Sequence, residues 1–95
     1  PSLELPSSQA SYLRNPRPPY PLASKRLRES GTVVLRVRVG ADGTAQQVRI
    51  QRSSGYPALD ESAQDTVQRW RFVPGKRHGV ATAMDYDVPI AFRLD

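Results

Sequence analysis

With 95 residues the chain is one small domain, and a folded body of about 75 of them buries only about 60 to 65% of its unfolded surface, which argues against a deep catalytic cleft. It has no cysteine and a single histidine, which excludes a disulfide framework and a zinc site built from thiolates and imidazoles. Fourteen Lys and Arg against nine acids give a net charge of +5, which permits an anionic partner without naming one. No apolar run is long enough to span a bilayer, the opening PSLELPSSQ is not a signal peptide, and a start on proline reads as a piece of something longer.

Residues 1–19 are polar and Pro16, Pro18 and Pro19 crowd their end, so this stretch is expected to be the extended end of a proline-rich linker, with the folded domain at 20–95. Tyr20-Pro21 opens a short helix, Pro21 taking the first helical position where its missing N–H costs nothing. Ala23 and Leu27 share one face of that helix, Lys25, Arg26 and Arg28 lie towards its C-terminus where cations suit the dipole, and Gly31 is the expected stop. Residues 32–52 read as a hairpin. Val33, Leu35, Val37 and Val39 alternate with Arg36 and Arg38, Asp42-Gly43 makes the turn, and Val48 and Ile50 resume the alternation. A second helix follows, with the apolar stripe Leu59, Ala63, Val67 and Trp70, Pro57 near its start, Asp60 and Glu61 in its first turn, and Pro74-Gly75 at its end. After a basic loop at 76–79, Met84, Tyr86, Val88, Ile90, Phe92 and Leu94 alternate with Asp85, Asp87, Pro89, Ala91 and Arg93 in a last strand.

The order helix, strand, strand, helix, strand predicts an α+β fold, a three-stranded antiparallel sheet with both helices on one face. Arg36 and Arg38 share the solvent face with Asp85 and Asp87, and opposite charges favour neighbouring strands. That places the last strand beside the first, in spatial order 2-1-3, with a right-handed crossover through the second helix. The expected core is Leu35, Val37, Ile50, Leu59, Val67, Trp70 and Phe92. The last strand is then a sheet edge, which accounts for Pro89: a residue with no N–H survives in a strand where its position faces outward.

Residues for chemistry are scarce. Asp60, Glu61 and Asp65 read as the solvated face of a helix, Ser53-Ser54-Gly55 lacks the spacing of a nucleophile turn, and the GADG stretch lacks the spacing and lysine of a phosphate loop. His78 reads as an exposed loop residue, and Trp70 and Phe72 as core rather than a stacking platform. The sequence offers no catalytic acid, base and nucleophile set, and no cofactor or metal site.

Taken together, the Tyr20-Pro21 pair before the first helix, Gly31 followed by an alternating strand, the Asp42-Gly43 turn, and Trp70-Arg71-Phe72 with Pro74-Gly75 after the second helix resemble the C-terminal domain of the TonB family over residues 14–94. Each mark is weak alone; their order and spacing are specific. The resemblance implies the sheet-and-two-helix fold reached above. It also implies a periplasmic, energy-transducing role in a Gram-negative bacterium, with an N-terminal helix outside this sequence anchoring the protein in the inner membrane beside ExbB and ExbD. The partners it implies are TonB-dependent outer-membrane receptors, whose TonB box adds as a strand to the edge of the last strand and transmits the force that admits iron chelates, haem or cobalamin.

On that reading the partner-binding edge comprises Ala83, Asp85, Tyr86, Asp87, Val88, Pro89, Ala91 and Arg93, with accessory contacts from Arg14, Asn15, Arg17, Tyr20, Lys76 and Arg77. The main-chain groups of Asp85, Asp87, Ala91 and Arg93 are expected to face outward and those of Tyr86, Val88, Ile90 and Phe92 inward, with the guest pairing mainly before Pro89. The stretch RNPRPP before Tyr20 departs from a common family pattern with glutamines there, so contacts at that point differ. Two other readings compete. A TolA-like or other cell-envelope binding module lacks the W-R-F and P-G marks, and a basic nucleic-acid-binding domain requires exposed aromatics beside the arginines. No nucleic acid is expected, nor membrane contact beyond the absent anchor; a homodimer through the open edge stays open.

Overall fold

The computed structural model describes residues 2–10 and 13–95. In chain order its elements are β1 (Leu3–Glu4), α1 (Leu22–Arg26), β2 (Gly31–Val39), β3 (Ala45–Arg52), α2 (Pro57–Val67), β4 (Gly75–Arg77), β5 (Val80–Thr82) and β6 (Met84–Phe92). The strict alternation of β2 buries Val33, Leu35, Val37 and Val39 completely on one face. β3 and β6 flank it, both antiparallel, so the main sheet has the order β3-β2-β6, the arrangement the charge pattern predicts. The turn between β2 and β3 uses Asp42-Gly43: Asp42 accepts from the Thr44 N–H and hydroxyl, and Gly43, at φ 83, has its carbonyl taken by the Phe72 N–H at 2.8 Å. A Cβ on Gly43 would stand 2.4 Å from the Phe72 carbonyl, so both backbone conformation and space demand glycine.

α2 packs over β2 and β3, and Leu59, Ala63 and Val67 are buried there with Val48, Val88, Phe72 and Phe92. Asp60 departs from its expected solvated role. Its carboxylate is buried and accepts from the Ser53 hydroxyl and from both the hydroxyl and the N–H of Ser54. Burial works to raise its pKa, but these three donors outweigh it and hold the group below the ordinary aspartate value. The Ser53-Ser54 stretch is therefore the anchor of the helix start, with Pro57 as the first helical residue.

Three expectations require correction. α2 ends at Val67 rather than at Pro74-Gly75, because the Arg69 and Trp70 N–H groups tighten onto Thr66 and Val67 and the chain then pairs Arg71 with Thr44. α1 does not present Ala23 and Leu27 to the core: Leu27 is 71% exposed, Ser24 is the buried residue, and the chain leaves the helix at Arg28, φ 57, before Gly31 is reached. The β6 side is instead closed by Tyr20, edge-on to Phe92 at 5.4 Å. Ile50 lies opposite Leu35 on the core face yet is 42% exposed, since β3 is an outer strand with a neighbour on one side only.

A second antiparallel sheet, β1-β4-β5, was not expected. β4 and β5 form a tight hairpin from the basic loop, with His78 and Gly79 both at positive φ, and β1 adds through Leu3 opposite Arg77 and Glu4 opposite Lys76. Gly75 lets this sheet approach the main one, since a Cβ there would meet Met84 Sδ at 2.5 Å. The stretch read as a linker end thus contributes a strand, while Pro1, Ser11 and Tyr12 lie outside the described residues.

Candidate partner-binding edge

β6 pairs with β2 along its whole length, Gly31 opposite Phe92 to Val39 opposite Met84, and no strand among the described residues pairs with its other side. Alternation sets the side chains: Val88 and Phe92 are buried, Tyr86 and Ile90 are half-buried against the core, and Asp85, Asp87 and Pro89 are exposed on the solvent face. Pro89 stands opposite Val34 at the open edge of the sheet. Arg36 grips Asp87 with two bonds, Nε to Oδ1 at 2.9 Å and Nη2 to Oδ2 at 3.2 Å, and Arg38 Nη1 reaches Asp85 Oδ1 at 3.4 Å. The hydrogen bond from Arg36 holds the Asp87 carboxyl below its ordinary range. These carboxylates are engaged within the sheet, and the main chain on the outer side of β6 has no strand partner among the described residues.

Beside the second half of β6 runs a groove of about 770 Å³. Ile90, Ala91, Phe92 and Arg93 form one wall; Trp70 and Tyr20 lie in it, and a strap of residues 15–19 with no helix or strand assignment forms the other wall through Asn15, Arg17 and Pro18. The strap is fixed from below. The Asn15 carboxamide accepts from the Arg71 N–H and donates to the Arg71 carbonyl, both at 2.8 Å, the Trp70 indole N–H donates to the Pro16 carbonyl at 2.7 Å, and the Ser62 hydroxyl donates to the Pro19 carbonyl. Tyr20 donates its hydroxyl to the Glu29 carbonyl and carries Lys25 over its ring.

The residues named from the sequence separate into two groups. Asn15, Arg17 and Tyr20 come together with Pro89, Ala91 and Arg93 around the groove. Lys76 and Arg77 lie in β4 of the second sheet, Arg14 is exposed at φ 53, and Ala83 is the single residue between β5 and β6. Trp70, expected in the core stripe, is half-buried beside Phe72 and serves as the strap's anchor. Sequence reasoning missed the groove. The available signal was the pairing of an asparagine with three nearby prolines, a run that has few donors of its own and must be held by others. Among the described residues no group of three or more His, Asp or Glu side chains could hold a metal ion.

A family model described as the Gram-negative bacterial TonB protein C-terminal matches residues 16–94. The chain is similar to the protein tonB2 of Pseudomonas aeruginosa, at 47% identity over 95% of this chain and 33% of that protein, and to the TonB protein of Vibrio cholerae, at 33% identity over 83% of this chain and 32% of that protein. It thus spans about a third of the length of these curated relatives. Its structure resembles the solution structure of the Helicobacter pylori TonB C-terminal domain, with a TM-score of 0.59 at 18% identity over 81% of this chain and 80% of that one, a likeness of fold.

Proposed function

The chain belongs to the family of Gram-negative bacterial TonB C-terminal domains, and we propose that it is the periplasmic receptor-binding end of a TonB-type energy transducer. A TonB box from an outer-membrane receptor adds to the open edge of β6, and force carried through that pairing drives uptake of an iron chelate, haem or cobalamin. ExbB, ExbD and the inner-membrane anchor act through sequence N-terminal to this domain. The observation that carries the reading is the outer side of β6, unpaired among the described residues, with its two aspartates already neutralised by Arg36 and Arg38. Ladder bonds to main chain give affinity with little demand on sequence, which suits one domain serving several receptors.

Pro89 defines which groups are offered. On a strand the N–H and C=O of alternate residues point to opposite edges, so the proline loses no ladder bond if its parity faces outward. Asp85, Asp87, Ala91 and Arg93 then present their main-chain groups to the guest, while Pro89 limits the register and discourages indiscriminate pairing of two domains through this edge. Arg14, Arg17, Lys76 and Arg77 steer an acidic receptor surface towards the domain. An NMR titration with a peptide from the N-terminal segment of a co-encoded receptor tests the reading. The amides from Thr82 to Leu94 are expected to shift most; shifts confined to β3 or the second sheet would overturn it.

A further inference from the structure

The two walls of the groove differ in what holds them. β6 is fixed by a full ladder to β2, whereas the strap has prolines at positions 16, 18 and 19 and cannot be held by a ladder. It can accept at its carbonyls, and Trp70 and Ser62 use those of Pro16 and Pro19. The Asn15 side chain supplies what the prolines lack. It stands opposite Arg71 as a neighbouring peptide group would, accepting from the N–H and donating to the carbonyl, with a third, longer contact to the Ser8 carbonyl at 3.4 Å. Arg71 is followed by buried Phe72, itself bonded to Gly43, so Asn15 ties the strap to the rigid body of the domain.

We infer that Asn15 is a positioning residue of the partner site: it holds the strap as the second wall of the groove, so that a guest strand on β6 and the docked strap favour each other. The inference rests on the reading of β6 as the receiving edge and takes the guest past Pro89 to pair also at Ala91 and Arg93, in the half of β6 beside which the groove runs, rather than mainly before Pro89. A strand added there lies about 4.8 Å from β6, and its core-side side chains enter the groove between β6 and the strap. They meet Trp70 and Tyr20, whose N–H and O–H are already given to the Pro16 and Glu29 carbonyls, so the rings present apolar surface. If the strap leaves, that wall is lost and those side chains face water. Linkage makes the effect reciprocal: whatever the docked strap adds to guest affinity, the guest adds to strap docking.

The test uses a synthetic peptide carrying the TonB box of a co-encoded receptor, titrated calorimetrically into the wild-type chain and Asn15→Ala, with exchange of the Trp70 indole N–H followed by NMR. Wild type is expected to bind and to slow indole exchange on binding; Asn15→Ala is expected to bind about 5-fold more weakly or worse, with β6 amides still responding. A purely structural role would lower the melting temperature and leave affinity unchanged well below it. Equal affinity for the two proteins, or indole exchange insensitive to the peptide, overturns the inference alone; a peptide that does not bind wild type overturns the β6 reading with it. If Asn15→Ala does not fold, Ser62→Ala, which deletes the strap's bond at the Pro19 carbonyl from a residue that does not line the groove, is expected to weaken the peptide likewise, and unchanged affinity there has the same contrary force.

Discussion

In β2 four aliphatic side chains are fully buried, whereas in the N-terminal region Leu3 and Leu5 are 46% and 68% exposed, and attachment comes from main-chain pairs, the Asn15 carboxamide and buried Pro6. Apolar burial is worth roughly 25 cal/mol per Å², while a single hydrogen bond adds about 0.5 to 1.5 kcal/mol net. The main sheet is thus the stable body, and the strap, which faces the second half of β6 across the groove, and the second sheet are attachments of lower local stability. The difference teaches where adaptability can reside: the edge strand belongs to the stable body, and the facing wall does not.

The largest effect is expected inside the body. Leu35→Ala removes a completely buried side chain from the middle of β2 and should lower stability by about 2 to 5 kcal/mol in urea denaturation. Asp60→Asn comes next, at about 1.5 to 3 kcal/mol, since it weakens charge-assisted bonds from Ser53 and Ser54 at the start of α2. Because the folded-state pKa of Asp60 lies below its unfolded value of about 3.9, its contribution is present above that pH and lost as pH falls through the folded value. Thermal melts from pH 6 down to 2 should therefore show an acid-side loss in the wild type that is shallower in Asp60→Asn.

Effects in the attached region should be smaller and of the opposite character. Asn15→Ala is expected to cost about 1 kcal/mol, while Leu3→Ala stays within about 0.5 kcal/mol, so that a polar change outweighs an apolar one. The reverse ranking would break the comparison. Smallest for stability is charge reversal at Arg14, Arg17, Lys76 and Arg77, within about 0.5 kcal/mol. Its signature is kinetic: in surface plasmon resonance at low salt association slows and dissociation barely changes.

The main sheet was legible because its alternation and its charges point the same way. Val33 to Val39 mark the buried face, and Arg36 and Arg38, read with Asp85 and Asp87 as opposite charges on neighbouring strands, do meet across β2 and β6, the structure pairing Arg36 with Asp87 and Arg38 with Asp85. The end of α2 was not legible, since Trp70 continues the helical spacing and it is pairing with residues distant in sequence, Thr44 with Arg71 and Gly43 with Phe72, that pulls the chain out of the helix. β1, β4 and β5 have two or three residues each, too few for a periodicity to register. The bonds of the strap join Asn15 to a main chain 56 residues away, and no local pattern announces such a contact.

The most direct measurement of the central claim is amide hydrogen exchange along β6 with and without the receptor peptide. The amides of Asp85, Asp87 and Ala91 should exchange fast in the free domain and become protected in the complex, while those of Tyr86 and Val88 should stay protected in both, the parity expected if Pro89 faces outward. The opposite parity, with Tyr86 and Val88 fast in the free domain, or a complex in which Asp85 and Asp87 remain unprotected, would contradict β6 as the strand-receiving edge and the account of why Pro89 stands in it.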